Sequence, residues 1–199
     1  MFNGALAGYN SFAIKVDVSG YTLWAQRFGG ATTAAVANGV AIDSAQNIVI
    51  AGGYWGGVMT TPALPSPAGT NCYVIKLNSV GTLLFASGFG GAESLGQNAG
   101  VALDANGNML LSGWSQGPMT SPALSPVSAS YIYSVLLGPT GAIRWTWNLG
   151  SGDASYGVSA NSANTFAADG SRNMTYAGFL YNYNYSVSNP VIARVAIPL

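Results

Sequence analysis

Three stretches of this 199-residue chain follow almost the same pattern, about 60 residues apart. The first two begin Gly-Val-Ala-Ile-Asp at Gly39 and Gly-Val-Ala-Leu-Asp at Gly100, and each carries an Asn shortly after its Asp. A weaker third copy has its Asp at Asp169 and its Asn at Asn173. A segment copied in series buries a continuous core only by packing on its neighbours. The sequence therefore predicts a single repeat domain made of stacked units.

Short apolar runs separated by glycine-containing turns fill each unit. The runs are rich in Val, Ile, Leu, Tyr and Trp, which is typical of strands, and apolar residues nowhere recur at helical spacing. Gly20, Gly81 and Gly141 each end a turn in which a left-handed glycine would close a hairpin with a bulge. Four strands per unit follow, so we expect an all-β fold of four-stranded antiparallel sheets.

A four-stranded unit at this period is typical of a β-propeller blade. Each turn glycine is followed by an aromatic residue, and the first two units continue with Phe-Gly-Gly at 28–30 and 89–91. This pattern, with the repeated Asp and Asn, resembles the seven-bladed propeller (SBBP-type) repeat over nearly the whole chain. The third copy departs from it with Leu-Gly-Ser at 149–151. The aromatic residues of the pattern are Trp24, Phe85 and Trp145.

The resemblance implies that the Gly-Val-Ala-Ile-Asp strand is innermost and the aromatic strand outermost. If each blade begins with its innermost strand, the chain divides into a partial blade at 1–38, blades at 39–98 and 99–157, and a partial blade at 158–199. A closed propeller needs at least about four complete blades, so we expect an incomplete ring or arc. Its open edges, including residues 191–197, would be completed by more of the same chain or by a neighbouring subunit.

The chain is unusually poor in charge. Only 6% of its residues are charged and the net charge is zero, against roughly 25% charged residues in an average domain. A surface without a positive field does not favour nucleic acid, and weak repulsion between copies favours self-association. A monomer kept soluble by uncharged polar groups is the alternative. No apolar run reaches the roughly 18 residues of a membrane span. The resemblance implies a secreted or extracellular, cell-surface location.

Residues suited to catalysis are scarce. Histidine is absent, which removes the commonest general base and metal ligand. Asp43, Asp104 and Asp169 occupy the repeated turn, where turn formation explains them better than a catalytic carboxylate pair. The Asp104 turn begins like a Ca²⁺ loop, but no bidentate Glu follows. We therefore expect no catalytic residue, metal or cofactor, and a non-enzymatic building block of a larger oligomer, fibre or surface layer.

A lectin-like, carbohydrate-binding propeller module is the alternative function. Aromatic residues follow the glycines near the end of each second strand, and glycans stack on exposed rings. The same rings would serve equally as packing between blades, where a buried ring contributes a large area. The possible glycan-binding residues are Tyr54, Trp55, Trp114, Phe179 and Tyr181.

Three further features carry local predictions. Asn173 and Asn184 begin sequons that would be N-glycosylated in a eukaryotic secretory route. Pro-rich linkers at 60–67 and 120–126 join second to third strands, and we expect them to be extended and exposed. Cys72, the single cysteine, begins an apolar segment and is predicted to be a small buried thiol.

Overall fold

The computed structural model describes the backbone of residues 10–64, 70–91, 95–124, 130–149, 156–159, 166–168, 173–182 and 187–196. Throughout these ranges the regular structure consists of strands, without any helix. The prediction of an all-β protein is confirmed.

The strands are β1 (Ser11–Val16), β2 (Thr22–Phe28), β3 (Ala34–Ile42), β4 (Ile48–Trp55), β5 (Asn71–Leu77), β6 (Leu83–Phe89), β7 (Leu95–Leu103), β8 (Met109–Gln116), β9 (Met119–Thr120), β10 (Ala123–Leu124), β11 (Ser130–Leu137), β12 (Ile143–Leu149), β13 (Tyr156–Ser159), β14 (Phe166–Ala168), β15 (Asn173–Asn182) and β16 (Val187–Ala196).

Two units have four antiparallel strands in chain order, as the repeat predicts. The first sheet runs β3-β4-β5-β6, and the second runs β7-β8-β11-β12. β1 and β2 form a separate hairpin that corresponds to the third and fourth strands of a unit. β3 and β7 begin at Ala34 and Leu95, slightly before the expected unit boundaries at 39 and 99.

The last unit differs from a separate blade. β14, β15 and β16 form the expected first, second and third strands, but β13 also pairs with β15 and touches β11 in parallel at Ser130 and Gly157. The last two units therefore share one continuous sheet, which the repeat does not predict. Among the described strands, β16 pairs with β15 alone and does not pair with β1, so no closed ring of paired strands is seen.

The three predicted hairpin turns are confirmed. Gly20, Gly81 and Gly141 have φ angles of 84°, 85° and 90°, and each donates its N–H to the carbonyl three residues earlier at 3.0 Å. A register shift at the end of each preceding strand marks the bulge. Only glycine adopts this left-handed geometry without strain, which explains why the turn glycine repeats.

The repeated Asp and Asn close the turn between the first two strands of a unit. Asp43 Oδ1 accepts hydrogen bonds from the N–H groups of Ala45 and Asn47, at 3.0 and 2.8 Å. Its Oδ2 accepts one from Asn47 Nδ2 at 2.9 Å. Asp104 makes the same contacts with Asn108 in the second sheet. The prediction that turn formation accounts for Asp43 and Asp104 is confirmed. Asp169 lies outside the described residues.

Successive units pack face to face through two apolar clusters. The first cluster joins the β1-β2 hairpin to the first sheet, β3-β4-β5-β6, which we call the β3-β6 sheet. The second cluster joins that sheet to the second one, β7-β8-β11-β12, which we call the β7-β12 sheet. Cys72 lies in the second cluster and is 1% exposed, which confirms the prediction of a buried thiol. On the third strand of each complete unit the residues that face the preceding unit are at most 2% exposed. These residues are Tyr73, Ile75 and Leu77 on β5 and Tyr133, Val135 and Leu137 on β11.

The first strands of neighbouring sheets approach each other at glycines. A Cβ on Gly39 would lie 2.9 Å from the Cα of Gly100, its equivalent in β7. A side chain at this position would therefore push β3 and β7 apart. The two glycines explain why the repeated pattern begins with Gly.

The first halves of the Pro-rich linkers are mostly exposed, as expected, but they turn back and do not run extended. Gly29 exchanges backbone hydrogen bonds with Thr60 and Thr61, all within 3.0 Å. Gly90 makes the equivalent contacts with the second linker, where β9 and β10 form a short pair. Met59 and Leu64 are buried, because the linker folds back onto the Phe-Gly-Gly motif of the preceding unit. Residues 65–69 and 125–129 lie outside the described residues.

An aromatic ring on each of the outer strands β2 and β6 covers the turn glycine of the next unit. Trp24 Nε1 donates to the carbonyl of Ser79 at 3.1 Å, and a Cβ on Gly81 would lie 2.9 Å from the indole. A Cβ on Gly141 would lie equally close to the ring of Phe85. The aromatic residue and the turn glycine of the repeat are therefore partners in neighbouring units.

Alanine at Gly81 should destabilise the protein more than alanine at Gly20. Both substitutions force a left-handed residue, which costs about 1 kcal/mol, but only the Gly81 side chain meets Trp24. Nothing lies within 4 Å of a Cβ at Gly20. We expect an additional loss of about 1 kcal/mol for Gly81→Ala, measured by chemical denaturation. Equal losses for the two variants would contradict the stacked arrangement.

Candidate assembly interface

One face of the first hairpin is apolar and open to solvent. Phe12, Ile14 and Val16 alternate along β1 and are 58%, 45% and 54% exposed. Counted from the turn glycine, they stand at the same positions as the buried triplets of β5 and β11. We call these three residues the N-terminal face. In the two complete units the equivalent face is covered by the preceding unit.

The opposite face of the hairpin packs on the β3-β6 sheet. Ala13 and Trp24 contact the first apolar cluster, and Phe28 belongs to it. Ser11 Oγ and the Tyr73 hydroxyl oxygen lie 2.8 Å apart in this buried contact. The hairpin is thus held as part of the stack by the face opposite to the N-terminal face.

A tyrosine hydroxyl bridges neighbouring third strands at a repeated position. Tyr73 reaches Ser11, and Tyr133 donates to Cys72 Sγ at 2.8 Å. Burial raises the pKa of Tyr73 to about 12, against the opposing hydrogen bond of Ser11, and burial also raises that of Tyr133. Both hydroxyls are therefore neutral at physiological pH. Phe12 occupies this position in β1 and carries no hydroxyl, so the N-terminal face presents only carbon atoms at the equivalent point.

A cavity of about 430 Å³ separates β1 from the first strands of the β3-β6 sheet. We call it the N-terminal cleft. Val40 and Ile42 are 66% and 62% exposed there. Their equivalents in the second sheet, Val101 and Leu103, pack against the second apolar cluster. The apolar residues that line the cleft include Ile14, Val40, Ile42, Ile48 and Ile50.

A buried ion pair joins the turn after β3 to β5, the third strand of the first sheet. Lys76 Nζ lies 3.0 Å from Asp43 Oδ2, and the two side chains are 5% and 8% exposed. The ammonium also donates to the carbonyl of Pro139 in the next unit at 3.5 Å. Burial alone would raise the pKa of Asp43, but hydrogen bonds from Asn47 and Lys76 outweigh it and hold the pKa at about 2. The pair fixes the Asp turn to the third strand.

The lysine of this pair is repeated only once. Lys15 stands at the equivalent position of β1 and donates to the carbonyl of Ser79 in the next unit at 3.0 Å. Leu136 replaces the lysine in β11, so Asp104 has no equivalent ammonium beside it. Lys15 lines the N-terminal cleft.

Neutralising Asp43 should destabilise the protein in a pH-dependent way. At neutral pH we expect Asp43→Asn to lower the free energy of unfolding by about 3 kcal/mol, because the buried ammonium of Lys76 loses its partner. The pKa of Asp43 falls from 3.8 to about 2 on folding. Its contribution is therefore complete above about pH 4 and disappears as the pH falls towards 2.

Asp104→Asn is the matched control for this measurement, since it changes the same turn without an ion pair. Denaturation curves between pH 2 and 7 should show a larger loss for Asp43→Asn at neutral pH and similar losses at the acid end. A pH-independent difference between the variants would contradict the assigned ion pair.

The predicted glycan-binding residues are not brought together at one repeated position. Tyr54 is fully buried in the first apolar cluster and has no face for a sugar, because its ring packs between the hairpin and the sheet. Trp55 and Trp114 are half-buried. The strand register aligns Trp114 with Gly53, not with Tyr54. The side chains of Phe179 and Tyr181, on β15, lie outside the described residues.

The two sequons fall in the last unit. Asn173 is the first residue of β15, and Thr175 of its sequon is exposed. Asn184 lies outside the described residues. Glycosylation at both positions stays a prediction.

Comparison with known proteins assigns no family: no protein-family model matches the chain, and no curated protein matches it. Among the described residues, no helix is long and apolar enough to cross a membrane. No group of three or more Cys or acidic side chains in the described part could hold a metal ion.

The N-terminal face and cleft were not singled out from the sequence, which instead drew attention to the edge at residues 191–197. The sequence would have indicated this face if its repeats had been aligned on their turn glycines. In that alignment Phe12, Ile14 and Val16 are equivalent to residues that are buried in the complete units. Which positions are buried, however, is known only once the stacking direction is known.

Proposed function

We propose that the protein is a non-enzymatic structural building block that associates end to end, outside the cell, into a larger oligomer, fibre or surface layer. The observation that carries this proposal is the exposed N-terminal face, which repeats a surface that both complete units bury. A contiguous apolar surface of this kind is typical of protein interfaces. A second copy that supplies another sheet would cover it.

A propeller-like arrangement of the units supports the same proposal. Two equivalent four-stranded sheets stack with their first strands in close approach at Gly39 and Gly100, as blades do around an axis. The resemblance to the SBBP-type repeat adds to this reading, and the family is mostly extracytoplasmic. On this proposal the described arc is a segment of a ring or filament that other copies continue.

The low charge of the chain is consistent with assembly. Six basic and six acidic residues give little electrostatic repulsion between copies. Some of these charges are also used internally, since Lys76 and Asp43 are paired and largely covered. Association would then be governed by apolar contact and by pairing of strand edges.

A charge on the N-terminal face should abolish self-association. We expect the full chain to form concentration-dependent oligomers in sedimentation or size-exclusion measurements. Val16→Asp should raise the dissociation constant of these oligomers at least about tenfold, so that the monomer predominates. A buried unpaired carboxylate opposes the contact. Val16 is half exposed in the single chain, so the variant should fold.

Val18→Asp is the matched control, because Val18 is fully exposed in the adjacent turn and outside the N-terminal face. It should leave the oligomers unchanged. If the unmodified chain is a monomer at all concentrations, or if both variants behave alike, the assembly proposal fails.

Carbohydrate binding is the second candidate function. Trp55 and Trp114 keep part of their indole surface exposed near the ends of β4 and β8, which are equivalent strands. Half-covered indoles offer a face on which a sugar ring stacks. On this reading the rings would add a glycan-recognition role to the same scaffold.

A glycan array tests the second candidate. If the rings bind sugar, the folded protein should retain glycans, and Trp114→Ala should lose them by at least about tenfold while its thermal unfolding stays cooperative. Unfolding of Trp114→Ala without any glycan retained by the unmodified protein would assign the ring to packing and remove this candidate.

A further inference from the structure

We infer that the N-terminal cleft binds a small organic acid, a monocarboxylate with an apolar body such as a medium-chain fatty acid. The cleft has a volume of about 430 Å³, which falls within the range of small-molecule sites. Its lining is mostly apolar, with Lys15 and Gln46 among its few polar residues. The inference does not depend on the proposed assembly, since a single molecule holds the whole site.

The apolar wall of the cleft would hold the body of the ligand. Val40 and Ile42 of β3 line this wall and are more than half exposed. Their equivalents in the second sheet, Val101 and Leu103, pack against the second apolar cluster, which includes side chains of β4. The cleft therefore presents a surface that the next pair of units covers with aliphatic side chains. An alkyl chain bound there would likewise remove apolar area from water.

Lys15 supplies the binding group for the carboxylate. In the first sheet Lys76, at the equivalent position, pairs with Asp43 and also donates to a backbone carbonyl of the next unit. Lys15 makes the equivalent backbone contact, to the carbonyl of Ser79 at 3.0 Å, but it forms no ion pair with any carboxylate in the described part of the chain. An ammonium has three donors, so Lys15 has donors left for an anion. The complete unit thus shows that a lysine at this position binds one carboxylate.

Gln46, which also lines the cleft, is held in a backbone conformation that costs stability. It lies in the turn between β3 and β4 with a φ of 63°, whereas the equivalent residue of the second sheet is Gly107, with a φ of 75°. Glycine adopts this left-handed conformation without strain and glutamine does not. Residues held in such conformations cluster at ligand sites. In the proposed complex the side-chain amide of Gln46 donates a hydrogen bond to the carboxylate.

Isothermal titration calorimetry of the full-length chain with decanoate tests the inference. We expect saturable one-to-one binding in the micromolar range. Octanoate should bind about fifteenfold more weakly, because it lacks two methylene groups. Decanol, which has the same chain length but no charge, should bind at least about tenfold more weakly than decanoate. Absence of decanoate binding, or equal binding of decanol, would overturn the inference.

Substitution of Lys15 tests where the carboxylate binds. Lys15→Met removes the ammonium and keeps an unbranched stem, so it should weaken decanoate binding at least about tenfold and leave decanol binding unchanged. Arg144→Met is the matched control, because Arg144 is an exposed cation that does not line the cleft. It should bind decanoate as the unmodified chain does. Full binding to Lys15→Met, or an equal loss in both variants, would overturn the assigned carboxylate site.

Gln46→Gly separates ligand binding from stability. It should weaken decanoate binding about threefold, because one hydrogen bond to the carboxylate is lost. It should also raise the midpoint of thermal unfolding by about 2–4 °C, because the left-handed strain is relieved. A variant that is more stable and still binds decanoate at full strength would overturn the role of Gln46 in the site.

Discussion

Packing of each unit on the next is the interaction on which the rest of this structure depends. A four-stranded sheet has two faces, and here both are apolar, so a single unit cannot bury its own surface. Three contacts recur between successive units: an aromatic ring on a turn glycine, a Phe-Gly-Gly backbone on a linker, and a tyrosine hydroxyl on the preceding third strand. In the first hairpin the face that corresponds to such a contact is exposed.

The features predicted correctly from the sequence are those whose cause is local. The turn glycines require a left-handed backbone, and the Asp of each inner turn accepts hydrogen bonds from its own loop. The strand order of the two complete units follows from these turns and from the apolar runs between them. Cys72 was placed correctly because it lies within such a run.

The features that were not predicted depend on contacts between distant segments. The linkers fold back because Gly29 and Gly90 of the preceding unit supply their hydrogen-bond partners. Tyr54 is buried because the first hairpin covers it, although its position after two glycines looks like an exposed strand end. The junction made by β13 falls where the third copy departs most from the repeat pattern. None of these partners is adjacent in sequence.

The same logic connects the structure to its proposed role. Because each unit contacts only its neighbours, these contacts do not limit the number of units in a stack. On the proposed function, a neighbouring molecule extends the stack through the same kinds of contact. The N-terminal face offers the apolar surface for such an extension. Scarcity of charge removes the repulsion that would otherwise keep copies apart.

An experimental structure of the associated state would test the central claim most directly. The account predicts that Phe12, Ile14 and Val16 are covered by a sheet of another copy, stacked as the β1-β2 hairpin stacks on the β3-β6 sheet. A self-contained particle in which these side chains remain in solvent, or in which β16 of the same molecule closes on β1, would contradict it.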